Sequence, residues 1–181
     1  MAAGWLAMAS AIVAIPWLIL ILSLREKQGL AVKFTEAAML LVGTALVVFL
    51  LLMLKRLINT RYGFDLADRP IRFLVKANIV SSMASLAGLA FPRLESVLGV
   101  FGAVMIAAVG IGQIFLGLRL LRLPADLQGL QKPYCYLNIA TGCFLASVYL
   151  FPVGILTGSI ADVMLGTIFF QTAASWESSD S

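Results

Sequence analysis

The 181-residue chain is 61% hydrophobic and 12% charged, with a mean hydropathy of +1.01; soluble domains are about half apolar and a quarter charged, so a water-soluble globular domain is excluded. Its formal charge of +4 does not point to nucleic acid, because the basic residues sit at the ends of apolar runs, where anionic headgroups attract them, with no basic groove of interleaved aromatics. Histidine is absent, which removes histidine-ligated haem, histidine-bound zinc or di-iron and a serine–histidine–acid triad, and no cofactor or metal site is expected.

The apolar runs are measured against the roughly 20 residues that a helix needs to cross a bilayer. The first, 4–24, contains Pro16. No Lys or Arg precedes it, and it is longer than a signal-peptide core, so an uncleaved helix is expected. The second, 35–54, is almost wholly aliphatic from Leu46 to Leu54 and is expected to face lipid over much of its circumference.

A long polar connection follows, carrying Lys55, Arg56, Arg61, Arg69, Arg72 and Lys76. These six are expected to lie against lipid headgroups. Asp65 and Asp68 in the same stretch are expected to pair with the surrounding arginines. A distant alternative has the two carboxylates hold magnesium for chemistry on a lipid headgroup, but the fuller aspartate-rich pattern of such enzymes is missing.

The third run, 73–91, is less apolar, with Asn78 and several serines. Its short stripes, Ser81 with Ser85 and Ala84 with Gly88, suit close helix approach. The fourth, 97–118, carries the stripe Gly99, Ala103, Ala107 and the polar Gln113. Asp126, in the next connection, is expected to be solvated. The fifth, 134–151, holds Asn138, Cys135 and Cys143. Eight residues of helix separate the thiols by about 12 Å, too far for a disulfide, and both read as small buried hydrophobes.

The sixth run, 153–174, follows Pro152, which marks a very tight reversal, and leads to a polar tail, 175–181. Asp162 lies near its middle, on a stripe with Gly154, Gly158 and Gly166. At four-residue spacing these positions stack on one helix face, where another helix approaches, so Asp162 is expected to face protein. An aspartate at that depth costs about 2.5–3.5 kcal/mol. Thr141, Ser147, Ser159 and Gln113 are its expected partners. The plainer reading is a neutral acid hydrogen-bonded to a neighbouring helix; the functional one is a proton or cation site.

Together the runs predict an all-α polytopic membrane helix bundle, a single transmembrane domain of six helices in three hairpins. A count of four would make each proline-broken pair one long kinked helix. Asn78-Ile79 and Phe91-Pro92 recur as Asn138-Ile139 and Phe151-Pro152, sixty positions on, a trace of a duplicated hairpin. Nine of the thirteen Lys and Arg fall on the side that would also hold both termini, which places the termini in the cytoplasm; Arg25 and Lys27 pull locally the other way. Trp5 and Trp176 suit interfacial positions on that side.

The short loops suit a bacterial inner membrane. The first functional expectation is a non-catalytic accessory subunit of a larger membrane complex, packed against other integral membrane proteins or copies of itself and against lipid. The second is a small oligomeric transporter or channel using Asp162.

Overall fold

The computed structural model describes residues 2–24, 29–124, 127, 129–147 and 149–177, so Arg25, Lys27 and Asp126 lie outside the described residues. The chain forms six α-helices and no strand among these residues: α1 (Ala2–Leu24), α2 (Leu30–Tyr62), α3 (Asp68–Ala90), α4 (Glu95–Leu120), α5 (Gln131–Ala146) and α6 (Phe151–Glu177). Four of them, α2, α3, α4 and α6, are long and apolar enough to cross a bilayer. The chain is an integral membrane helix bundle.

Local chemistry sets the helix ends. Hydropathy falls after Leu54, but Lys and Arg are good helix formers, so α2 runs on through Lys55, Arg56 and Arg61 to Tyr62. Gly63 then takes the left-handed conformation, φ 60°, and its N–H bonds Asn59 O at 3.2 Å, a glycine C-terminal stop. The long polar connection of the sequence reading is thus helical except for residues 63–67. Pro70 lies in the first turn of α3, where its missing N–H costs nothing. The helix ends at Ala90, just before Phe91-Pro92, and a single 3₁₀ turn, Pro92–Leu94, leads into α4.

The second Phe-Pro behaves differently. The chain leaves α5 at Ala146, and Pro152 already belongs to the first turn of α6. The reversal therefore precedes the proline. Ser147 helps to make it: its hydroxyl donates to Phe144 O at 2.7 Å and accepts the Leu150 N–H at 3.3 Å. With 16 residues, α5 is about 24 Å long, short of the roughly 30 Å hydrocarbon core.

Each helix packs on its sequence neighbours, and α1 packs on α6, so the six helices close into a ring. All neighbours are antiparallel: Ser10 meets Asp162, Lys55 meets Asp68, Gly88 meets Leu98, Gly117 meets Cys135 and Gly158 meets Thr141. The first turn of α1 consequently lies against the last third of α6, with Gly4 against Phe170. Trp5 is 69% exposed there, and its ring meets that of Phe170 edge to face at 5.4 Å.

The apolar core occupies this same end. Leu54 and Ile58 of α2, Ile71 and Leu74 of α3, Leu116 and Leu120 of α4, Leu127 of the α4–α5 connection and Ile168 of α6 are essentially fully buried. Leu50, Leu54 and Ile58 share one stripe at four-residue spacing, so α2 does not present its aliphatic run wholly to lipid; Val47 and Leu52 on other faces are exposed. Gln131 closes this end of α4, its amide donating to Leu120 O at 2.9 Å and Leu123 O at 3.1 Å.

The closest seam joins α4 to α5 and is built on glycine. A Cβ on Gly142 would lie 2.5 Å from Gly110 O, one on Gly110 2.6 Å from Gly142 O, and one on Gly117 2.8 Å from Cys135 O. Because α5 ends opposite Gly110, the first half of α4 has no α5 beside it.

Candidate functional site

On its inner side the ring surrounds a half-open cavity of about 480 Å³ lined by all six helices, within the range of small-molecule sites. One end of it is plugged: Leu50, Leu74, Leu116, Tyr134, Ala161 and Leu165 line the cavity and belong also to the apolar core. Toward the other end the lining residues Ala14, Met39, Leu40, Ile106 and Phe151 are only partly buried.

All four intramembrane polar residues singled out in the sequence, Asn78, Gln113, Asn138 and Asp162, line this one cavity. They arrive from four helices, α3, α4, α5 and α6. Ser10, Thr44, Ser81, Tyr134, Thr141 and Ser159 add hydroxyls. Among the described residues the lining contains no Lys or Arg, and Asp162 supplies its one acidic group. Acceptor oxygens and small hydroxyls thus surround a space in which a ligand's own donors or positive charge would be complemented.

The Asp162 carboxylate accepts a hydrogen bond from the Ser10 hydroxyl at 3.1 Å. Its partner is therefore on α1, not among the residues expected. Thr141 donates to Thr157 Oγ1 at 3.0 Å, Ser159 back-bonds to Ile155 O at 2.9 Å, and Ser147 belongs to the turn after α5. Ring closure between α1 and α6 decides this, and no sequence neighbour announces it. The stripe through Asp162 explains how one helix serves two neighbours: each four-residue step turns about 40° around a helix. Gly154 and Gly158 accordingly meet Leu145 and Thr141 of α5, whereas Gly166 meets Gly4 and Met8 of α1.

Gln113 is under-satisfied. Its Oε1 is buried and has no hydrogen-bond partner, a state that costs about 1–3 kcal/mol. Asn78 and Asn138 present matched geometry: each donates its side-chain N–H to the carbonyl one turn earlier, Leu74 O and Tyr134 O, at 2.9 Å. The sixty-residue offset extends through the lining, pairing Leu74 with Tyr134, Asn78 with Asn138 and Ser81 with Thr141. It fails in the following helices, for α4 lines the cavity with Ile106 to Leu116 and α6 with Phe151 to Leu165. The matched pattern belongs to α3 and α5 alone.

Other residues named from the sequence fall elsewhere. Gly99 meets nothing within 4 Å, and Ala103 and Ala107 are half-buried, so the tight packing lies at Gly110, Gly117 and Gly142 instead. Cys135 is buried, but Cys143 is exposed, so only the first thiol is a buried hydrophobe.

Among the basic residues, Lys55 pairs with Asp68 at 2.9 Å, and Arg61 reaches Thr172 O at 3.4 Å and lies 6.0 Å from the Tyr62 ring centroid. Arg56, Arg69, Arg72 and Lys76 are exposed. The Asp68 carboxylate is bonded by Lys55 and by the Asn59 amide at 3.0 Å; of the arginines, Arg72 bonds the Asp68 backbone carbonyl at 3.4 Å and adds its positive charge near the carboxylate. Asp65 is exposed. Both Asp68 oxygens are thus engaged, which leaves the pair poorly placed to chelate magnesium. Among the described residues no cluster of three or more His, Cys, Asp or Glu is placed to hold a metal.

No protein-family model, no curated protein and no solved structure matches this chain.

Proposed function

We propose that the chain is a small membrane carrier whose six-helix ring holds a central site for a small solute bearing a positive charge or several hydrogen-bond donors. The observation that carries the reading is the convergence of Asp162, Gln113, Asn78 and Asn138 on one cavity. Polar groups at membrane depth are expensive and mark solute pathways. A site plugged by apolar side chains at one end is what alternating access requires of one of its states. Asp162 is the anionic anchor in this reading, and the amide oxygens complete the cradle. No covalent chemistry is involved. The excess of Lys and Arg at the plugged end supports placing that end, with both termini, in the cytoplasm, and the short loops support a bacterial inner membrane.

The test uses proteoliposomes assayed for flux of protons, sodium, potassium, ammonium and methylammonium. At least one of these moves with wild-type protein, and Asp162→Asn, which keeps the shape and a partner for Ser10, reduces that flux to the empty-vesicle level. The carrier reading fails if none moves, or if the Asn variant transports as well as wild type.

A second reading, the accessory subunit, is favoured by one specific observation. A Cβ on Gly99 or Gly102 would meet nothing within 4 Å, so the first half of α4 offers a small-residue face to another helix. Mild extraction from native membranes and mass spectrometry test it. A stoichiometric partner that is lost with Gly99→Leu would establish this reading, and purification of the chain alone would remove it.

A further inference from the structure

A second groove lies outside the ring, on the exposed outer side of α3 and α4. It measures about 340 Å³ and is lined by Phe73, Ile111, Gly112 and Phe115, with Pro70 and two arginines, Arg69 and Arg119. Its apolar walls are open to the surroundings: Phe73 is 46%, Ile111 49% and Phe115 57% exposed. Gly112 makes the depression, since a Cβ there would come within 2.9 Å of the Phe73 ring.

Charge is confined to one end. Arg69 belongs to the first turns of α3 and Arg119 to the last turn of α4, and antiparallel packing brings these ends together. Among the described residues neither guanidinium has an acidic partner, whereas Lys55, on the neighbouring α2, is neutralised by Asp68. An apolar trough with two uncompensated guanidiniums at its mouth complements an amphiphile with an anionic head and a hydrocarbon tail. Guanidinium binds phosphate by paired N–H donors, and the groove walls belong to two helices long and apolar enough to cross a membrane.

We propose that this groove is a binding site for an anionic membrane phospholipid, its headgroup phosphate held between Arg69 and Arg119 and an acyl chain laid along Phe73, Ile111 and Phe115. The site is separate from the central cavity and stands whether or not the chain is a carrier.

Native mass spectrometry of the detergent-solubilised full chain tests the proposal, with phosphatidylglycerol, phosphatidylcholine and water-soluble glycerol 3-phosphate as probes. Wild-type protein retains one phosphatidylglycerol in preference to phosphatidylcholine. Arg69→Gln with Arg119→Gln weakens that binding by about thirtyfold, as expected for loss of two cations facing an anionic head. Arg93→Gln with Arg122→Gln removes the same charge elsewhere on the exposed surface and leaves the preference intact. Ile111→Trp obstructs the trough without altering charge and also weakens binding. Equal retention of the two lipids, an equal effect of both arginine pairs, full binding by Ile111→Trp, or occupancy by glycerol 3-phosphate at lipid-like affinity would each overturn the lipid site.

Discussion

Two stripes on α5, one residue apart in sequence, have opposite characters. Cys135, Ile139, Gly142 and Ala146 meet α4 so closely that backbone touches backbone. Tyr134, Asn138, Thr141 and Leu145 turn about 100° away and line the polar cavity. The first stripe fixes where α5 stands by van der Waals contact, which is the main driving force between helices in lipid. The second is left free to carry polar groups, because the first already holds the helix in place. A short helix can therefore present hydroxyls and amides to a half-open space without falling out of the bundle.

The sharpest way to break this comparison is to fill the glycine seam. Gly142→Ala and Gly110→Ala each place a methyl group about 2.5 Å from a backbone oxygen that cannot move without shifting a helix. Overpacking costs about 1–3 kcal/mol, and with backbone as the obstacle we expect the upper end of that range and a large fall in the folded fraction in a detergent unfolding titration. Gly99→Ala has nothing within 4 Å to strike and should stay within about 0.5 kcal/mol of wild type. Equal losses for all three would mean that the seam does not carry the bundle.

The cavity stripe should behave in reverse. Asn138→Leu removes a local bond to Tyr134 O whose net worth is about 1 kcal/mol, and the added apolar surface offsets part of that. We expect a folded bundle with impaired solute flux in proteoliposomes. A variant that unfolds would make Asn138 a structural residue and blur the distinction between the stripes.

Much of the cavity stripe was legible in the sequence, and little of the seam. Asn78, Gln113, Asn138 and Asp162 stand out because amides and carboxyls are rare and expensive in apolar runs, and all four line one cavity. Ser10 and Thr44 do not stand out, because in membrane helices hydroxyls commonly bond the preceding turn of their own backbone, as Ser159 does. Stripes at four-residue spacing favour Gly99, Ala103 and Ala107, whereas the working glycines Gly110 and Gly117 are seven apart and their counterpart Gly142 stands alone. Which helix faces them depends on ring closure and on the early stop of α5 at Ser147. Neither is written in local hydropathy.

Between the two stripes in energy lies the contact of Ser10 with Asp162, which joins the first helix to the last. Ser10→Ala deletes the one donor to that carboxylate among the described residues and should lower stability by about 1 kcal/mol, read as a shift in the same unfolding titration. Its larger expected consequence is functional, since the anchor of the proposed site loses its positioning partner. A variant with wild-type stability and flux would show that the cavity does not depend on α1.

The smallest effect is expected where polar contact lies outside the cavity altogether. Lys55 and Asp68 tie α2 to α3 at 2.9 Å, but their side chains are 28% and 19% exposed, so water screens the attraction. Lys55→Met should cost no more than about 1 kcal/mol, with the difference shrinking as salt is raised, because a partly exposed pair is screened over roughly 8 Å at physiological ionic strength. The remaining Asp68 keeps the Asn59 amide at 3.0 Å and a place at the positive end of α3, which limits the loss further. A cost several times larger and independent of salt would make this pair a structural clamp comparable to the glycine seam, and polar contacts outside the cavity would then have to be counted with the packing that holds the ring together.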